Sequence, residues 1–122
     1  MKSAVIEVLC VEADIASCKL MMQFLDGQGL RTIATNNIRD GLRLVECMGC
    51  GLFIVGGQYR DGTGLELCRR IRSIDQQTPI VFYSEQEGER EEAKRTGAQI
   101  SLTGPGEIIE SYPAILGLLD QL

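Results

Sequence analysis

Histidine and tryptophan are absent from the 122 residues, and aromatic residues make up only 5%. Histidine is the commonest metal ligand, so a zinc site here would need cysteine and carboxylates alone. Positive charge is in deficit: 12 Lys and Arg stand against 17 Asp and Glu, a formal net charge of −5. An acidic surface repels phosphate backbones and anionic headgroups, which argues against nucleic-acid and membrane partners. No apolar run approaches the ~20 residues that span a bilayer. The opening "MKSAVIEVLCVEAD" has one Lys, then apolar residues interrupted by Glu7, Glu12 and Asp14, and no small-residue cleavage signature. It reads as a first strand rather than a signal peptide. The five cysteines are odd in number and mostly sit inside periodic segments, which fits a reducing cytoplasm better than a disulfide framework.

What is present is ordinary for a soluble globular protein: 44% apolar and 24% charged residues. The length suits one domain over residues 1–122. "AVIEVLCV" (4–11), "LRTIAT" (30–35), "GLFIV" (51–55), "TPIVFYS" (78–84) and "AQISL" (98–102) read as short strands. Between them lie helical patterns. Asp14 is placed to cap the first, whose stripe is Ile15, Cys18, Met22 and Leu25, widened by Leu20, Met21 and Phe24. Asn36 and Asn37 offer a cap for a second helix running to about Cys47. A third, 64–74, buries Leu65, Cys68 and Ile71 and exposes Arg69, Arg70 and Arg72. Ser84 and Glu87 spell a capping box for a fourth, and Pro113 suits the first turn of a last helix. Apolar strands alternating with amphipathic helices predict an α/β fold with a parallel sheet covered on both faces. In such sheets the working crevice lies beyond the carboxyl ends of the strands. Those ends carry Glu12-Ala13, Gly56-Gly57, Ser84-Glu85 and Thr103-Gly104-Pro105.

The pieces in this order resemble the receiver domain of bacterial response regulators over almost the whole chain. "VLCVEAD" resembles that family's first strand with its acidic pair, and "TGLELCRRIR" its third helix. "TPIVFYS" is similar to the fourth strand with its Ser or Thr, and "GAQISLTGP" to the fifth strand and its Lys-Pro turn. The resemblance implies a flavodoxin-like or CheY-like sheet of order 2-1-3-4-5 and a role in two-component or phosphorelay signalling. In the family an Asp ending strand three takes a phosphoryl group from a histidine kinase, and an acidic pair with that Asp holds Mg²⁺. A hydroxyl and a Lys contact the phosphoryl oxygens, and an aromatic residue changes rotamer. Carried over residue by residue, the first acid is Glu12 and the second falls on Ala13. The phosphoacceptor position falls on Gly56, and the hydroxyl is Ser84. The lysine falls on Gly104, followed by Pro105, and the aromatic switch falls on Ser101. The family's Met-Pro is Tyr59-Arg60 here.

Glycine has no nucleophilic oxygen. Glu12 alone is a poor Mg²⁺ cage, and Gly104 supplies no cation for developing charge. The expectation is a non-enzymatic pseudo-receiver acting through contacts with another signalling protein or an output domain, with Mg²⁺ absent or weakly held by Glu12. The first alternative is phosphorylation at a displaced acid, Asp61, against its plainer reading as the turn residue of "RDG". The second is a small-ligand sensor using a crevice enlarged by the glycines at 56, 57 and 104. A third is a redox pair at "CMGC", Cys47 and Cys50. Redox pairs place their nucleophile at a helix N-terminus, whereas this one ends a helix. "GGQYRDGTG" lacks the G-K-[ST] of a nucleotide loop. The fourth helix, "EQEGEREEAKRTG", has Ala93 as its one core candidate and pairs such as Glu91 with Arg95, so it reads as a solvated helix or a pliable recognition surface.

In the last helix Ile115, Leu118, Leu119 and Leu122 form the stripe that seats it on the sheet. Tyr112 and Leu116 form a second apolar line, making the arc wider than one-sided packing needs. That surplus points to an apolar contact through this helix, to itself as a homodimer or to another protein. Leu116→Lys is expected to weaken the association and leave the fold intact, as read by light scattering and circular dichroism.

Overall fold

The computed structural model describes residues 6–120. Ala4 and Val5, expected in the first strand, and Leu122, expected on the last stripe, lie outside them. The strands are β1 (Val8–Val11), β2 (Thr32–Thr35), β3 (Leu52–Gly56), β4 (Gln58–Tyr59), β5 (Gly62–Thr63), β6 (Ile80–Tyr83) and β7 (Ile100–Leu102). The helices are α1 (Ile15–Gly27), α2 (Ile38–Cys47), α3 (Gly64–Ile74), α4 (Glu87–Thr96), α5 (Pro105–Glu110) and α6 (Tyr112–Asp120). Five strands form one parallel sheet in the order β2-β1-β3-β6-β7. This is the expected 2-1-3-4-5 order. The labels shift because β4 and β5 make a small antiparallel hairpin after β3.

Strand alternation sorts the apolar residues into two cores. Leu9, Val11, Phe53, Val55 and Phe82 face a core closed by Leu42, Leu67, Ile71 and Ala93 of α2, α3 and α4. Val8, Cys10, Leu52, Ile54, Val81 and Tyr83 face the other, closed by Met21 and Leu25 of α1, Ile108 of α5 and Ile115 of α6. Burial on both faces explains why β1, β3 and β6 read as continuous apolar runs.

Two helix starts, at Asp14 and Asn37, are built as the sequence suggests, and Thr63 adds a third cap that was not expected. Asp14, Asn37 and Thr63 each accept a backbone N–H from three residues on, at Ser17, Asp40 and Glu66. Asp61 does more than turn the hairpin. Its carboxylate accepts the N–H groups of Ile38 (3.0 Å) and Arg39 (3.1 Å), tying the hairpin to the start of α2. Those bonds hold its carboxyl below the ordinary range.

Several expectations are corrected. The Ser84–Glu87 capping box does not form: Glu87 is the first helical residue, too early to reach back, and the N-cap is Gln86 with no side-chain cap. The last helix, α6, starts at Tyr112 with Pro113 in its first turn, as expected, but a short helix that was not expected, α5, precedes it with Gly104 as its N-cap. Pro113 has no N–H to give the preceding turn, so the helix divides at Ser111 into α5 and α6. Ile15, expected on the buried stripe, is 70% exposed at the first turn of α1. Arg72 is half-buried instead of exposed. Its guanidinium donates to the carbonyls of Asp75 (2.9 Å) and Gly97 (2.9 Å) and to the Gln99 side chain (3.1 Å), clasping α3 to the α4–β7 connection. Arg95 pairs with Glu92 at 2.8 Å rather than with Glu91, and Glu92 also meets Arg69 at 3.9 Å. Ala93 is buried, as expected.

Gly64, at the start of α3, lies against the end of β3. A Cβ there would fall 2.1 Å from the Gly56 carbonyl oxygen and 2.8 Å from the Phe82 ring. One contact is backbone, so it cannot rotate away. Gly64→Ala is expected to cost about 1–3 kcal/mol or more in a urea titration, as overpacking does.

Candidate functional site

The carboxyl ends of β1, β3 and β6 meet at one edge of the sheet. β3 lies between the other two, and Gly56 is in register with Tyr83 of β6. Glu12 follows β1 on the same face as Cys10 and Gly56 by alternation. Adjacent strands are about 4.8 Å apart, so side chains on β1 and β6 are separated by the full width of β3. With no side chain at Gly56, the Tyr83 ring reaches across β3 and its hydroxyl donates to Glu12 Oε1. A Cβ on Gly56 would sit 2.9 Å from that Glu12 oxygen and 3.2 Å from the Tyr83 hydroxyl. The enlarged pocket expected at position 56 is therefore filled by the protein itself.

Glu12 is buried at 8% exposure and both its oxygens are engaged, the second accepting the Asp14 N–H at 2.6 Å. Burial raises the Tyr83 phenol far above its ordinary range, and the bond to Glu12 adds to the effect. Tyr59 is also buried, and its hydroxyl donates to the Val11 carbonyl at 2.6 Å, tying the hairpin to the end of β1. Burial raises its phenol as well. Tyr83 is the residue that sequence reasoning missed. Its signal was an aromatic residue beside Ser84, in a sheet whose third strand ends in glycine.

Beside this bridge runs a cleft of about 340 Å³ lined by Gly57, Gln58, Ser84, Glu89, Thr103 and Gly104, among others. Ser84 Oγ donates to Glu89 Oε1 at 2.5 Å and accepts the Gln86 N–H at 3.1 Å. Gln58 donates to the other Glu89 oxygen at 3.2 Å. The hydroxyl is thus committed to a carboxylate. Space around Gly104 is open, since a Cβ there would meet nothing within 4 Å, and Pro105 starts α5 next to it. Ser101 faces away from the bridge, its hydroxyl donating to the Arg90 carbonyl at 2.9 Å. The remaining candidates are not drawn into the site. Asp61 is spent on α2. Cys47 is exposed at the end of α2, while Cys50 is half-buried, donates to the Leu52 carbonyl and is pushed up to about 11 by burial.

Ala13 and Gly56 contribute no side-chain oxygen, and Glu12 has no free one, so this set does not fit Mg²⁺. Among the described residues no group of three or more His, Cys, Asp or Glu is placed to hold a metal. Nor is any helix among them long and apolar enough to cross a membrane.

The model of the response regulator receiver domain matches residues 8–110, most of the chain. This chain belongs to the response regulator receiver domain family. Solved structures similar to this receiver domain include a two-component response regulator from Clostridium difficile (20% identity, TM-score 0.86, covering 94% of this chain and 96% of that one). Another is the Thermotoga maritima response regulator TrrA, determined in complex with Mg²⁺-BeF (17%, 0.83, 93% and 98%). An orphan response regulator of H. pylori is similar at 19%, 0.78, 97% and 98%. At these identities the likeness speaks for the fold alone. No curated protein matches the receiver domain's sequence.

Tyr83→Phe removes the donor to Glu12 Oε1 and leaves a buried carboxylate oxygen without a partner. The expected loss is about 1–3 kcal/mol in urea unfolding. A double-mutant cycle with Glu12→Gln is expected to show coupling between the two residues.

Proposed function

We propose that this receiver domain signals through protein contacts and takes no phosphoryl group at position 56. The observation that carries the reading is the Tyr83 hydroxyl lying across Gly56 on Glu12. In the family's pattern the same volume belongs to an aspartate, a metal and an incoming phosphoryl group. Here a neutral phenol and a carboxylate bonded to it occupy that volume. The surroundings support the reading. Ser84, the one phosphoryl-contacting group kept from the pattern, donates to Glu89, so an anion entering the cleft would meet a negative charge. Among the described residues no lysine or arginine lines that cleft, and the nearby Arg90 guanidinium donates to the Ser84 carbonyl at 2.8 Å.

Asp61 does not fit the role of displaced acceptor, since both its oxygens accept backbone N–H groups of α2. Contact surfaces are available. Leu116 on α6 is 39% exposed, whereas Ile115 beside it is fully buried. Tyr112 is half-buried and set edge-on to Phe24 at 5.1 Å, so Leu116 is the freer of the two interface candidates. Ile15 and Leu20 of α1 are also exposed. The contact is with another signalling protein, an output domain or a second copy.

Incubation with acetyl phosphate and Mg²⁺ is expected to leave the intact mass unchanged. Gly56→Asp alone is also expected to remain unmodified, because its side chain collides with Glu12 and Tyr83 and the acid and lysine positions stay at Ala13 and Gly104. A stable phosphoryl gain on the unaltered chain, mapping to Asp61 or elsewhere, would overturn the reading.

A further inference from the structure

The arginines of this acidic chain fall into two groups. Arg69 and Arg95 pair with Glu92, Arg90 donates to the Ser84 carbonyl, and Arg72 clasps the Asp75 and Gly97 carbonyls. Arg39 and Arg43 of α2 and Arg70 of α3 are exposed and, among the described residues, take part in no ion pair. These three line one cleft of about 360 Å³ between α2 and α3, with the buried Ile38 and Leu42 among its walls. We propose that this cleft docks an acidic segment of a partner protein, its carboxylates seated on Arg39, Arg43 and Arg70. The proposal rests on the reading that the domain works through protein contacts. It adds a surface apart from α6, because α2 and α3 cover the opposite face of the sheet.

The fold gains little from these arginines. Arg39 is the second residue of α2, where the helix dipole disfavours positive charge, and the last turn, where it would help, has no basic residue. Arg43 lies one turn on, so two like charges meet at i and i+4. Two carboxylates also line the cleft, Glu46 and Asp61. Asp61 has its oxygens on the N–H groups of Ile38 and Arg39, and the Arg39 charge adds only to what those bonds already do for its carboxyl. Glu46 makes no ion pair among the described residues. Three cations thus stand against two carboxylates in a chain whose formal net charge is −5. A positive cleft on an acidic molecule steers an acidic partner to one place and repels it elsewhere.

The spacing selects the kind of segment. Arg39 and Arg43 are one turn apart, about 6 Å along the helix axis. In an extended chain, side chains at i and i+2 lie on one side about 6.6 Å apart, so acids at those positions match the two arginines. The residue between them points the opposite way, toward α3 and Arg70. A run of three acidic residues in extended form therefore meets all three guanidinium groups, whose planar forks suit carboxylates.

The test follows the fluorescence anisotropy of a labelled hexaglutamate peptide titrated with the full chain. Binding is expected at low salt and is expected to vanish at about 1 M salt, where the screening length falls to about 3 Å. Arg43→Gln with Arg70→Gln is expected to weaken it about tenfold or more while the urea midpoint and circular dichroism stay unchanged. Lys19→Gln with Arg31→Gln removes the same charge from exposed positions outside the cleft and is expected to leave binding within about twofold of the unaltered chain. The proposal is overturned if hexaglutamate does not bind at low salt or if the control pair weakens binding as much as the cleft pair. It is also overturned if inorganic phosphate or a DNA oligonucleotide binds the cleft more tightly than the peptide. Those results concern the cleft alone, since the acetyl phosphate measurement decides separately whether the domain takes a phosphoryl group.

Discussion

A hydrogen bond spanning three strands, from the Tyr83 hydroxyl on β6 to the Glu12 carboxylate after β1, organises the crevice of this receiver domain. It exists because the strand between them ends in a residue without a side chain. Any other residue at 56 would place a Cβ against both partners. Glycine at this position therefore creates a requirement: a buried carboxylate needs donors, and a large aromatic on the neighbouring strand is the group long enough to bring one. Glu12 then orders the Asp14 N–H with its second oxygen, and Asp14 caps α1. One bridge thus fixes the end of β1, the end of β6 and the start of α1.

The hairpin after β3 is anchored on the opposite side of the sheet edge. Tyr59 donates to the end of β1, and Asp61 receives the first N–H groups of α2. Gly64 then brings α3 within contact of the Gly56 carbonyl, leaving no room for a β-carbon. A loop that in the family's pattern surrounds a phosphoryl site is here a set of struts between elements. Under the proposed reading this is why the domain presents one arrangement of its surfaces to a partner. The hydroxyls of Ser84 and Ser101 are each committed to α4: Ser84 to the Glu89 carboxylate, and Ser101 to the Arg90 carbonyl.

Much of the fold was legible in the chain itself. The period-2 and period-3.6 patterns located all five strands of the main sheet and most of the helices, because burying apolar area on a sheet covered on both faces demands those periods. Asp14 and Asn37 were readable as caps, since capping is a local geometry of a few residues. That Ala13, Gly56 and Gly104 carry no side-chain oxygen or amine is plain in the sequence; that they stand at the family's acid, phosphoacceptor and lysine positions is what the resemblance implies.

The tertiary structure decided what filled those absences. Nothing local to "VFYS" says that Tyr83 turns across β3, because its partner lies 71 residues away on another strand. Asp61 looked like a turn residue because the N–H groups it accepts, from Arg39 and Ile38, are 22 and 23 residues distant. Arg72 looked solvent-facing on the helical wheel, yet the carbonyl of Gly97 comes to it only when β7 docks. Sequence periodicity determines which face each side chain takes. Which groups end up sharing that face is set by strand order and helix docking, through contacts whose partners are far apart along the chain.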